Sequence, residues 1–174
     1  KELGPPSTHP QSEQPNRLPA SVIKQLAVGT LDTSLSPETG SAPNGASFSM
    51  RNGRAEYFAH APSQLVYRVS PEITVLRGGY GIRPEAYAPS NPTPTDGAEF
   101  LILWRPGPNQ ETTLLRHLLQ PGSNPADRSV QSFRVTLPSH AQPGELVLSI
   151  TPGPTGNPAY DWTFWTDLMF EKFH

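Results

Sequence analysis

The sequence has no cysteine, which excludes disulfides, thiolate nucleophiles and cysteine-ligated zinc together. Charge is sparse: 16% of residues are charged and the formal net charge is -2. Nucleic-acid and anionic-lipid binders need a basic surface, which this composition does not supply. No run approaches the ~18 apolar residues of a membrane-spanning helix, and no charged-then-apolar leader opens the chain. A convincing amphipathic helix longer than two turns is also lacking. Catalytic signatures are equally scarce. The five histidines, His9, His60, His117, His140 and His174, are scattered, with no i, i+4 pair for zinc and no G-x-S-x-G elbow. Glu56, Glu72, Glu85, Glu99 and Glu111 offer carboxylates, but none is singled out as one of the facing pair a glycosidase requires. The composition therefore points away from an enzyme.

Proline and glycine are abundant, at 22 and 14 of 174 residues. They fall between short apolar runs, which is the punctuation of many turns between many strands. Phe48 and Met50 open one strand and Arg54–His60 forms another. In 63–69, Leu65, Tyr67 and Val69 share one face, opposite Gln64 and Arg68. Ile73–Leu76 leads into Gly78-Gly79-Tyr80-Gly81-Ile82, where the glycines predict a bulge or tight bend. Phe100–Trp104 is apolar on both faces, as in a strand covered on both sides. Thr112–Leu119 has helical leucine content, yet the Pro-Gly turns around it favour a strand. Phe133, Val135 and Leu137 alternate cleanly, as do Leu146, Leu148 and Ile150. The last run, 162–170, holds two of the three tryptophans. Its even positions (Trp162, Phe164, Thr166, Leu168, Phe170) suggest one face in a core, with Trp162 as framework.

Strands recurring about every ten residues predict an all-β chain folded as one antiparallel β-sandwich. Residues 1–19 carry five prolines among Ser, Gln, Asn and Glu, which predicts a flexible linker, and 20–174 would form the single sandwich domain. Within it, 20–29 is ambiguous between a helical turn and an edge strand. The abrupt start at Lys1 suggests a piece excised from a larger protein.

Asp96-Gly97-Ala98-Glu99-Phe100, Leu118-Leu119-Gln120-Pro121, Asn124-Pro125-Ala126-Asp127-Arg128, Phe133–Leu137, Thr151-Pro152-Gly153-Pro154 and Tyr160-Asp161-Trp162-Thr163-Phe164-Trp165 follow one another in a recognisable order. Over 63–170 this pattern resembles the jelly-roll, galactose-binding-like domains, related in shape to carbohydrate-binding modules, that are attached to bacterial multi-span membrane proteins such as envelope glycosyltransferases. Gln120 departs from it, standing where the pattern often has Asp. The resemblance implies a jelly-roll sandwich that is itself non-catalytic and not membrane-spanning. It also implies an extracytoplasmic location, periplasmic or at the cell surface, tethered to a membrane protein. Its partner would be a glycan or the remainder of the parent protein. A docking module without glycan is the first alternative, and a fragment of a carbohydrate-active enzyme the second.

Three sets of residues are candidates for a site. Tyr87, Asn91 and Asp96 border a long polar connection, 87–97, of the kind that carries function more often than fold, and so mark a glycan site. Tyr80, Trp104 and Trp165 are further rings, with Arg83 and Arg105 as polar neighbours, although aromatics mostly populate cores. Asp127, Arg128, Asp161 and Trp162 suggest a network in which carboxylate and guanidinium pin two loops. No organic cofactor is expected. Loop carboxylates are raw material for a structural calcium ion, and Asp127 and Asp161 are the residues such an ion would use.

Overall fold

The computed structural model describes residues 17–20, 23, 28–29 and 34–172; most of the predicted linker and most of 20–29 lie outside them. β1 (Val28–Gly29) pairs with β2 (Ser34–Leu35) as a small separate ribbon. The remaining strands are β3 (Thr39–Ser41), β4 (Ala46–Arg51), β5 (Arg54–His60), β6 (Ser63–Val69), β7 (Ile73–Ile82), β8 (Ala98–Gly107), β9 (Gln110–Leu119), β10 (Gln131–Thr136), β11 (Gly144–Pro152) and β12 (Trp162–Lys172). They form two five-stranded antiparallel sheets, ordered β10-β7-β12-β5-β4 and β3-β6-β11-β8-β9. The chain is an antiparallel β-sandwich of jelly-roll type, as the turn spacing predicts, and 112–119 lies in a strand.

Strand alternation builds the core. Leu65, Tyr67 and Val69 of β6, Phe100, Ile102 and Trp104 of β8, and Leu146, Leu148 and Ile150 of β11 are all buried. From the facing sheet, Tyr57, Tyr80, Trp165 and Phe170 close over them. Trp165 meets Phe100 edge-on, with ring centres 5.4 Å apart, and Tyr67 meets Phe170 at 5.2 Å. Such aromatic pairs contribute roughly 0.5–1.5 kcal/mol beyond their burial.

Simple alternation misassigns β12. Between Thr166 and Met169 its register against β7 slips, and Asp167 takes a left-handed φ of 50°. The bulge exchanges the strand's faces. Trp165 points inward before it and Phe170 after it, so the buried residues change parity. Trp162, expected in the framework, is instead half-buried, and Trp165 takes the core position with 1% exposure.

The glycines of 78–81 lie where the expected bulge occurs, but β12 carries it: β7 runs through them unbroken, and the slip between Thr166 and Met169 falls opposite Gly78. They make room for their neighbours. A Cβ on Gly81 would lie 2.7 Å from the Phe164 ring, and one on Gly78 2.9 Å from Leu168. At the N-terminal side, the Leu18 N–H donates to the Gly40 carbonyl at 2.9 Å. Leu18 itself is buried in the core. The sandwich thus includes a residue placed in the linker by composition alone.

Candidate functional site

Antiparallel register brings the long connections to one end. Ala98 at the start of β8 faces Leu119 and Pro152, and Thr163 near the start of β12 faces Ala59 and Ile82. The segments 83–97, 120–130 and 153–161 therefore gather together, joined by 42–45, where the Asn44 amide donates to the Ala61 carbonyl at 2.8 Å.

Buried polar groups tie these loops. Thr95 Oγ1 donates to Asp161 Oδ1 at 2.6 Å and accepts from the Gly97 N–H at 3.0 Å. Asp96 Oδ2 accepts from the N–H of Thr155 at 2.9 Å and from its hydroxyl. The second oxygens, Asp96 Oδ1 and Asp161 Oδ2, are buried without a hydrogen-bond partner. Gly153 lets the loops close: a Cβ there would meet the Gly97 carbonyl at 2.5 Å and Asp96 Oδ1 at 2.8 Å. Burial pushes the Asp161 carboxyl up to about 7; the Thr95 hydrogen bond opposes this and the Asp96 charge adds to it.

Asp127 and Arg128 are engaged elsewhere. Asp127 Oδ2 accepts from the Gln120 N–H at 2.8 Å, and Arg128 Nε donates to the Pro121 carbonyl at 2.7 Å. Both pin the 120–130 loop to its own base. The expected Asp127–Arg128–Asp161 network is replaced by two separate ones, because backbone groups seven residues away satisfy Asp127 and Arg128 while Thr95 takes Asp161. The pair expected for a cation, Asp127 and Asp161, is likewise not brought into contact; Asp96 is the carboxylate whose charge acts on Asp161.

Tyr87, Asn91 and Asp96 all lie at this end, and apart from Asp96 Oδ1 their side-chain polar atoms are engaged. The Tyr87 hydroxyl donates to the Arg128 carbonyl at 3.0 Å, and the Arg128 guanidinium lies 5.9 Å from the Tyr87 ring centre. Asn91 donates to the Ala86 carbonyl at 3.3 Å and accepts from the Thr93 N–H at 3.0 Å. Tyr80, Trp104 and Trp165 are buried and unavailable as platforms.

The accessible rings lie on the outward face of β5 and β12. Glu56, Phe58 and His60 alternate outward along β5, with His60 paired to Trp162 and Phe58 to Phe164. The Arg83 side chain reaches across this surface from the far side of β12. Its guanidinium carbon sits 3.8 Å from the Phe58 ring centre, and its Nε donates to Glu56 Oε1 at 2.9 Å. Phe58 and His60 meet edge-on at 5.1 Å, and Tyr160 packs beside Trp162 at 5.7 Å. Desolvation, aided by the Arg83 charge, lowers the His60 pKa, so its imidazole is neutral at neutral pH. The result is a row of half-buried rings, Phe58, His60, Trp162 and Tyr160, beside a planar guanidinium–carboxylate pair. The 54–60 alternation held the signal for Glu56, Phe58 and His60; the partnership of Arg83 depends on two strands far apart in sequence.

No protein-family model matches the sequence, and no curated protein matches it. Solved structures do match. The CBM51-2 and INT domains of Clostridium perfringens ZmpB, in complex with GlcNAc, superpose with a TM-score of 0.52 at 14% identity, over 79% of this chain and 29% of that one. The M60 catalytic domain of the same protein with its CBM51-1 and CBM51-2 domains gives 0.52 at 13% identity, over 79% and 14%. The antiparallel β-sandwich is the fold the chain shares with these structures. This chain spans less than a third of the length of either of these structures.

Proposed function

We propose that the chain is a non-catalytic glycan-binding module of a larger extracytoplasmic protein, tethered to a membrane-embedded partner. One observation carries the binding reading: on this fold, the loop end presents Trp162, Tyr160, His60 and Phe58 as accessible rings next to the Arg83–Glu56 pair. Pyranose rings expose apolar C–H faces that pack on aromatic surfaces, while planar polar groups take their hydroxyls. A structure of similar fold in complex with GlcNAc supports the ligand class. The non-catalytic reading is supported by the duties of the local carboxylates: Glu56 is held by Arg83, Asp96 by Thr155, Asp127 by Gln120 and Asp161 by Thr95. Extracytoplasmic location and tethering rest on the sequence resemblance.

A calcium ion is proposed within the loop end. Among the described residues no group of three or more His, Cys, Asp or Glu could hold a metal, so the ion would rely on two carboxylates completed by backbone oxygens. Asp96 Oδ1 and Asp161 Oδ2 fit, being buried acceptors without partners, and the Gly97 carbonyl lies beside the first, over Gly153. Calcium would supply charge compensation and hold three loops together.

A single accessible ring cluster of this kind implies a Kd of roughly 0.1–1 mM, or about 4–5.5 kcal/mol. Titration of the chain with N-acetylglucosamine oligosaccharides, followed by amide NMR, should move residues 56–60, 83 and 160–162. Trp162→Ala should abolish those shifts while the domain stays folded. Absence of shifts across neutral and acidic oligosaccharides would favour a docking module in its place.

A further inference from the structure

A second cleft, of about 610 Å3, lies at the opposite end of the sandwich from the gathered loops. One wall is the tip of the β8–β9 hairpin, Pro106 to Gln110; the other is Gln142-Pro143, just before β11. Its floor is the outward face of three adjacent strands, where Glu145 of β11 stands opposite Arg68 of β6 and Arg105 of β8. Arg105 is engaged, its Nε donating to Glu111 at 2.8 Å.

We infer that this cleft is a saccharide site separate from the ring face. Among the described residues, the Arg68 guanidinium, the Glu145 carboxylate and the amides of Asn109, Gln110 and Gln142 have no hydrogen-bond or ion-pair partner. These are planar groups able to engage two neighbouring ligand atoms at once, which suits vicinal hydroxyls of a sugar. Guanidinium and carboxylate alternate across the floor, so neither sign of charge dominates and a neutral, polyhydroxylated ligand is favoured over a phosphate or a cation. The rings of Pro106, Pro108 and Pro143 add rigid apolar surface for sugar C–H groups.

The walls are also fixed before any ligand arrives. His140, two residues before Gln142, packs on Trp104 with ring centres 4.4 Å apart, and its Nδ1 lies 2.9 Å from the Pro138 carbonyl. Gly144 admits the Trp104 ring, since a Cβ there would lie 2.5 Å from it. A pre-formed cleft of several hundred Å3 with a few convergent polar groups is what small-ligand sites require.

This site stands or falls independently of the ring face, because the two lie at opposite ends. The test is amide NMR on the full chain, titrated with diacetylchitobiose, lactose and cellobiose to about 20 mM, which covers millimolar affinity. At least one sugar should shift residues 106–111 and 142–145, whatever happens at residues 56–60 and 160–162. Arg68→Ala and, separately, Gln142→Ala should each weaken the cleft shifts by about tenfold and leave Trp162 unaffected. Unmoved cleft residues with all three sugars would overturn the site, as would cleft shifts that persist unchanged in both variants.

Discussion

Thr95 and Asp161, 66 residues apart, share a buried 2.6 Å hydrogen bond to one carboxylate oxygen while the other is sealed in without a partner. The fold therefore disfavours the charged form of Asp161. Its pKa of about 7, against an ordinary 3.8, means that the folded chain holds a proton the unfolded chain releases. That contribution is complete below pH 4 and is lost as pH rises to 7, by up to about 4 kcal/mol. In EDTA the melting temperature should fall between pH 5 and pH 8, and Asp161→Asn should flatten the fall. Parallel pH profiles for the two proteins would refute the assignment.

Calcium should reverse this trend. With Asp96 and Asp161 both ionised around it, millimolar calcium should raise the melting temperature at pH 8 and have little effect at pH 5. Asp96→Asn and Asp161→Asn should each remove the calcium response. A wild-type melting temperature indifferent to calcium at pH 8 would exclude the ion.

Trp165 and Trp162 should behave oppositely despite lying three residues apart. Trp165→Ala opens a cavity between Tyr80, Phe100 and Phe133 and should cost about 3–5 kcal/mol. Trp162→Ala should cost clearly less and act on ligand binding instead. Urea unfolding of both variants decides the matter; equal losses would place Trp162 in the framework after all.

Gly153 is a point of close approach in the loop end. Gly153→Ala would drive a methyl group into the Gly97 carbonyl and Asp96 Oδ1, with a cost of about 1–3 kcal/mol. The same variant should weaken the calcium response, since it displaces Asp96. Normal stability with a normal response would contradict the close approach.

Leu18 marks where the N-terminal arm begins to matter. Removing residues 1–16 should leave the melting temperature within a few degrees. Leu18→Ala should cost about 2–3 kcal/mol, as a buried leucine facing Gly40. Circular dichroism melts of the two variants separate these outcomes.

Most of the sandwich was legible because a strand with one buried face writes a period of two into its sequence. β6, β10 and β11 show it; β8 does not, because Leu101 and Leu103 on its outward face are as apolar as the buried Phe100, Ile102 and Trp104. β12 was misread because a bulge is a backbone event, and only the left-handed Asp167 marks it. The glycines of β7 marked where a bulge falls, opposite Gly78, but not which strand carries it; an absent side chain can also admit a neighbour, as Gly81 admits the Phe164 ring. At the site, loop 87–97 was singled out and does lie where the connections gather, yet the side chains of Tyr87, Thr95 and Asp96 tie it to the neighbouring loops. The pairing of Asp161 with Thr95, and of Arg83 with Glu56, depends on sheet register and leaves no local trace.

The position of β12 has a consequence for how the chain comes to be folded. It follows the other described strands of the sandwich in sequence and it lies between β5 and β7; the hydroxyl of Thr163 reaches the carbonyl of Ala59 across 104 residues. Until residues 162–172 have left the ribosome, β5 and β7 lack the strand that joins them, and Tyr80 and Phe100 lack the indole that covers them. Pairing at such separation is slow, and surface left uncovered meanwhile invites association. Closure of this sandwich should therefore be a single late step, and truncations short of Phe170 should accumulate as aggregates instead of shortened folded domains.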